Sequence, residues 1–97
     1  MSETYDIQYA DEAAADIRAM RAYDQRKVLN GIKENLTHQP KSVSRTRIKA
    51  MVQPFWSQFR LRVEDFRVYY DVDDESHEVN VLRVLQKTTQ ATPETTP

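Results

Sequence analysis

The chain has 97 residues, 39% of them hydrophobic and 30% charged, with 14 Lys and Arg against 15 Asp and Glu. A length of this order suits one domain that hides about 60 to 65% of its unfolded surface, enough to fold without cross-links, and it excludes two independent cores. Cysteine is absent, which excludes disulfides, thiolate metal sites and cysteine nucleophiles; no apolar run approaches the roughly 18 residues of a membrane span, and a near-balanced charge argues against bulk coating by nucleic acid.

Met1 to Asp6 carry neither the basic region nor the apolar run of a secretory signal, so the expected location is the cytoplasm. Tyr5, Ile7 and Tyr9 alternate with Asp6, Gln8 and Ala10, the period-two pattern of a strand with one buried face. Asp11 offers a helix cap, and from Glu12 the composition turns Ala-rich, with Ala13, Ile17 and Met20 spaced to share one face. Asp24 offers a second cap, before a helix in which Val28, Leu29, Ile32 and Leu36 recur. Gly31, the one glycine, costs about 1 kcal/mol inside a helix and so marks a close approach, here expected from an Ala-rich neighbour. His38-Gln39-Pro40 closes that helix, because the residue before proline is pushed out of helical geometry.

Residues 41–54 read as loop. Phe59, Leu61 and Val63 then alternate with Gln58, Arg60 and Arg62, and after Glu64-Asp65 the set Phe66, Val68, Tyr70 and Val72 alternates with Arg67, Tyr69 and Asp71, which predicts a hairpin. A turn over Asp73 to Ser76 leads to an almost wholly apolar strand from Val79 to Leu85. Residues 88–97, rich in Thr, Pro and Gln, read as a disordered tail, leaving a single domain over 1–87. The expected architecture is α+β: an N-terminal strand, a two-helix hairpin and an antiparallel three-strand meander, forming a four-stranded sheet with helices on one face.

Charge is unevenly distributed along this plan. Residues 1–40 carry five cations against seven acids, residues 41–70 seven against two, and residues 71–97 two against six. If Glu64 and Asp65 occupy the turn, Arg62 faces Arg67 and Arg60 faces Tyr69 on one side of the sheet, while Leu61 and Phe59 face Val68 and Tyr70 on the other. A one-residue slip would bury charge, so the pattern guards this register. Like charges opposed on a sheet cost a fraction of a kcal/mol, and an anionic ligand is one way to offset that; the bland alternatives are neutralisation by Asp71 and the later acids, or splaying into solvent. For the last strand two registers stay open: one sets Arg83 opposite Arg67 with Lys87 on the same side, and a shift by one residue breaks that grouping. Trp56 reads as a buried aromatic at a strand start and His77 as a solvated turn residue; neither is assigned a site.

The run Trp56-Ser57-Gln58-Phe59-Arg60-Leu61-Arg62-Val63, followed by Phe66-Arg67-Val68-Tyr69-Tyr70 and Val79-Asn80-Val81-Leu82-Arg83-Val84, resembles the RelE/ParE superfamily of toxins from toxin-antitoxin pairs. The resemblance spans about residues 4–87 and implies that family's small α+β fold. In its RelE branch it implies an endoribonuclease that cuts messenger RNA in the ribosomal A site, using the RNA's own 2'-hydroxyl as nucleophile and needing no metal or cofactor. It then implies catalytic roles for Arg67, Arg60 and Lys87, and the cationic segment and sheet face supply Arg62, Arg83, Tyr69, Lys49 and Arg47 as candidates for binding RNA or its phosphates; Gln58 stands where some members have a further lysine. Members that supply a His, Glu or Tyr near the carboxyl end differ from this chain, which continues Leu85-Gln86-Lys87-Thr88. The resemblance equally allows a ParE-like gyrase inhibitor without chemistry, or an inactive member that holds its antitoxin and regulates its operon. All three imply a cognate antitoxin, with operator DNA reached only through it, and no membrane partner.

Overall fold

The computed structural model describes residues 4–87, so the tail read as disordered lies outside the described residues. The elements run β1 (Asp6–Tyr9), α1 (Asp11–Arg18), α2 (Ala22–Leu36), β2 (Ile48–Ala50), β3 (Phe59–Val63), β4 (Phe66–Asp73) and β5 (Glu78–Gln86). They form one sheet in the order β1-β5-β4-β3-β2, with β1 parallel to β5 and the other pairs antiparallel. Both helices cover one face.

The sheet has five strands rather than the expected four, because β2 lies within the stretch read as loop. Three residues with one buried side chain, Ile48, leave no alternation to detect; pairing makes the strand, with Ile48 opposite Leu61, Lys49 opposite Arg60 and Ala50 opposite Phe59. Neither expected carboxylate caps its helix. Ala10 and Arg21 occupy the cap positions without side-chain cap bonds, and Asp11 and Asp24 sit inside the first turns, where a negative charge still favours the helix dipole.

The apolar stripes behave as their spacing requires. Ala13 and Ile17 of α1, and Val28, Ile32 and Leu36 of α2, are buried against Leu61, Val63, Phe66, Val68, Tyr70, Val79, Val81 and Val84 of the sheet. Leu29 is left exposed, and Met20 follows α1 rather than belonging to it. Gly31 does mark a close approach, but the neighbour is Val63 of β3 and not an Ala-rich helix: a Cβ there would come within 2.8 Å of a Val63 methyl. The Tyr70 hydroxyl, deep in the core, donates to the Pro40 carbonyl at 2.6 Å, tying the loop after α2 to the central strand. Burial pushes the phenol's pKa far up, so it remains a donor.

Candidate nucleic-acid interface

The hairpin has the register its alternation predicts: Val63 faces Phe66, Arg62 faces Arg67, Leu61 faces Val68, Arg60 faces Tyr69 and Phe59 faces Tyr70. The two-residue turn holds Glu64 at φ 53°, in the left-handed region, and Lys27 of α2 donates to its carboxylate at 2.7 Å. Burying the Leu61, Val63, Phe66, Val68 and Tyr70 face sends Arg60, Arg62, Arg67 and Tyr69 to the open face. β2 extends the cationic surface, because Lys49 faces Arg60 and the Arg62 amide bonds to the Arg47 carbonyl at 2.8 Å.

β5 uses neither of the two open registers throughout. Over Tyr70 to Asp73 it is paired so that Val79 and Val81 share the helix-covered face. Leu82 then has no partner on β4, and beyond it Tyr69 faces Arg83, Val68 faces Val84 and Arg67 faces Leu85. The bulge inverts the alternation of β5. Val79, Val81 and Val84 can therefore all be buried while Arg83 and Leu85 fall on the side of Arg67 and Tyr69. Arg83 consequently opposes Tyr69, not Arg67.

Arg60, Arg67, Tyr69, Leu85, Gln86 and Lys87 line a concavity of about 370 Å³. A second of about 350 Å³ shares Arg60 and Arg67 with it and adds Arg45, Arg47, Lys49 and Arg62. Among the described residues none of these cations has a carboxylate at ion-pair distance. Arg67 is held by its own turn, with Nη1 donating to the Glu64 carbonyl at 3.1 Å and the Phe66 carbonyl at 3.2 Å. Partial burial, and then the charges of Arg60 and Arg62, hold its pKa below the usual arginine value, although a guanidinium still keeps its proton in this setting. Asp71 does not neutralise the patch: its Oδ1 accepts the Gln58 amide at 2.7 Å, while Gln58 Oε1 accepts the Val72 amide at 2.9 Å.

Arg83 differs from the rest. Its Nε and Nη2 donate to Asp16 of α1 at 2.8 and 3.0 Å, and the same carboxylate accepts the Val84 amide at 2.8 Å, beyond the point where β1 stops pairing with β5. The Arg83 hydrogen bond, aided by that amide and outweighing burial, holds the Asp16 pKa below the ordinary carboxylate range. Asp16 gave no signal in the sequence, being one acid on an Ala-rich helix.

Trp56 is not buried. It is 51% exposed, Phe55 is 38% exposed, and the two rings stack with centroids 5.1 Å apart. Trp56 in turn lies 4.7 Å from the ring of Tyr69, so an aromatic surface adjoins the arginine concavity. His77 lies at the other end of β4 from Arg67, in the turn before β5 at φ 55°, with its ring edge-on to Tyr5. His38 is exposed after α2.

Residues 7–90 match the family model of the ParE toxin of type II toxin-antitoxin systems. The chain belongs to this family. Among solved structures it is similar to the RelBE2 toxin-antitoxin complex of Mycobacterium tuberculosis, with a TM-score of 0.77 and 22% identity over 90% of this chain and 95% of that one. It is also similar to the archaeal RelE-RelB complex of Pyrococcus horikoshii, with a TM-score of 0.65 and 17% identity over 91% and 99%. The intact RelBE complex of E. coli gives 0.63 and 16% over 89% and 99%. No curated protein matches. At these identities the solved structures support the fold, and the toxin is a RelE/ParE superfamily member whose α+β architecture is theirs. Among the described residues no helix is long and apolar enough to cross a membrane, and no cluster of His, Asp and Glu is suited to a metal ion.

Proposed function

We propose that the toxin is a metal-independent endoribonuclease that cuts messenger RNA in the ribosomal A site, in the cytoplasm. The observation that carries the reading is that Arg60 and Arg67, diagonal neighbours on the open face, share one concavity with Tyr69 and Lys87 and have no carboxylate at ion-pair distance among the described residues. Arg62 stands directly opposite Arg67, where a sequence under selection for folding alone would place Thr or Glu at one of the two positions; a phosphate offsets the repulsion instead. In the proposed step the RNA 2'-oxygen attacks the adjacent phosphorus, the bond to the 5'-oxygen breaks, and a 2',3'-cyclic phosphate and a 5'-hydroxyl result. Arg60 and Arg67 offer parallel donors to the non-bridging oxygens, where charge builds in the phosphorane. Arg62, Lys49 and Arg47 hold the flanking phosphates. The 2'-hydroxyl proton leaves to solvent, and the 5'-oxygen takes one from water or the Lys87 ammonium. Arg83, paired with Asp16, serves in the bound state only by exchanging that carboxylate for a phosphate.

The same bare cationic face would be sequestered by an antitoxin segment carrying acids, which folds as it binds. Expression of the toxin without its antitoxin, followed by mapping of messenger ends on translating ribosomes, tests the activity. Cleavage should fall by about 100- to 1,000-fold in Arg67→Ala, the loss typical of removing one preorganised donor from a transition state. Intact messenger in the presence of the wild-type toxin would overturn it. A second reading, inhibition of gyrase without chemistry, draws support from the matched family model and from the concavity's lining, which among the described residues includes no imidazole or carboxylate. It requires loss of gyrase supercoiling that persists in Arg67→Ala.

A further inference from the structure

The segment between β2 and β3 is not an idle loop. Its ends are fastened by the Met51 amide to the Gln58 carbonyl at 2.9 Å, by Gln53 Nε2 to the Ser57 carbonyl at 3.1 Å, and by the buried Ser57 hydroxyl to the Phe59 carbonyl at 3.2 Å. Gln58 is further clamped to β4 through Asp71 and Val72. What this scaffold presents is Phe55 and Trp56, large apolar rings that a soluble fold gains nothing by exposing. They are set against the open-face ring of Tyr69, the residue directly opposite Arg60.

We infer that Trp56, flanked by Phe55 and Tyr69, is a base-stacking platform that binds an unpaired nucleobase next to the phosphate held by Arg60 and Arg67. The inference rests on the RNA-cleavage reading and adds to it the substrate's form: a single strand with at least one base splayed out of its stack. Three features select this occupant. The rings lie beside guanidiniums that, among the described residues, have no carboxylate at ion-pair distance, so the ligand is an anion with flat faces. Every base has a π-face, so rings give affinity without fixing sequence, as a site acting on many messengers requires. And the loop that carries the rings is fastened at its ends by hydrogen bonds within the fold itself, which lowers the ordering cost of binding.

Trp56 is the only tryptophan, so its fluorescence reports on the platform directly. The full-length toxin is titrated with a short 2'-O-methylated single-stranded RNA, which lacks the nucleophile and cannot be cut. Parallel titrations use the same strand with abasic sites, the corresponding duplex, and an acidic peptide of equal charge. Stacking predicts quenching by the single strand and little by the abasic strand or duplex. Trp56→Ala should weaken single-strand binding by roughly 5- to 100-fold, the range for losing one base–aromatic stack; Trp56→Phe should recover most of it. An unchanged thermal melt of both variants confirms that folding is intact.

Equal quenching by abasic and intact strands, equal affinity of Trp56→Ala and wild type, or a platform engaged only by the acidic peptide would each overturn the inference. Its failure is distinguishable from failure of the cleavage reading. Messenger cleavage that is lost in Arg67→Ala while Trp56→Ala binds normally removes the platform alone. Base-dependent quenching without any cleavage supports the platform and removes the chemistry.

Discussion

Asp16 should carry more of the fold's stability than any other single exposed-helix acid, and the reason can be put in numbers. β1 pairs with β5 only as far as Val81, so among the described residues the outer edge of β5 beyond it has no strand neighbour. The Asp16 carboxylate, with 16% of its side chain exposed, fills that position by accepting the Val84 amide and the Arg83 guanidinium. A hydrogen bond to an ionised group contributes about 1.5 to 3 kcal/mol, whereas the half-exposed Arg83 contact adds little. Asp16→Ala should therefore cost about 2 kcal/mol, which lowers the urea midpoint by about 1 to 2 M for the slope usual at this size. The acid dependence has a defined sign. Because the folded-state pKa of Asp16 is depressed, its contribution is complete above its unfolded value near pH 4 and is lost as pH falls through the folded value. Urea titrations of wild type and Asp16→Asn at pH 7 and at pH 3 measure this, and the difference between the two proteins should shrink at the lower pH. A midpoint shift below about 0.3 M for Asp16→Ala, or an Asn variant with the wild-type acid slope, would refute the account.

Three further outcomes follow from the geometry. Gly31→Ala should destabilise by up to about 2 kcal/mol, since overpacking against the stiff Val63 side chain outweighs the gain of about 1 kcal/mol in helix propensity; a thermal melt of the double variant with Val63→Ala should show recovery beyond additivity. Tyr70→Phe leaves the Pro40 carbonyl unpaired in the core and should lower the melting temperature by about 4 to 16 °C, corresponding to about 1 to 2 kcal/mol. Arg62→Thr should stabilise the hairpin by a few tenths of a kcal/mol at low salt, an effect that fades at high salt, while weakening RNA binding; a variant less stable than wild type in calorimetry would count against repulsion on the open face.

How far the sequence alone reaches differs from element to element. Alternation over residues 58–72, together with a two-residue turn at Glu64-Asp65, determines both the hairpin and its register: period two excludes any one-residue slip, which would mix apolar side chains and arginines on one face, and the turn length excludes slips by two. The helix stripes are legible for the same reason at period 3.6. Three features were decided only by tertiary contact. β2 is a strand because β3 offers it a partner, not because of its own three residues. Trp56 is exposed because hydrogen bonds to β4 turn its loop to the open face, although the same residue types in sequence read as core. The Leu82 bulge is invisible in a strand that is apolar at almost every position, since period two carries no phase there. Yet that bulge decides which side Leu85 and Arg83 occupy. Local patterning records which face each regular residue prefers; irregularities that change the phase, and the contacts that pin an unpatterned loop, exist only once the neighbouring strands are in place.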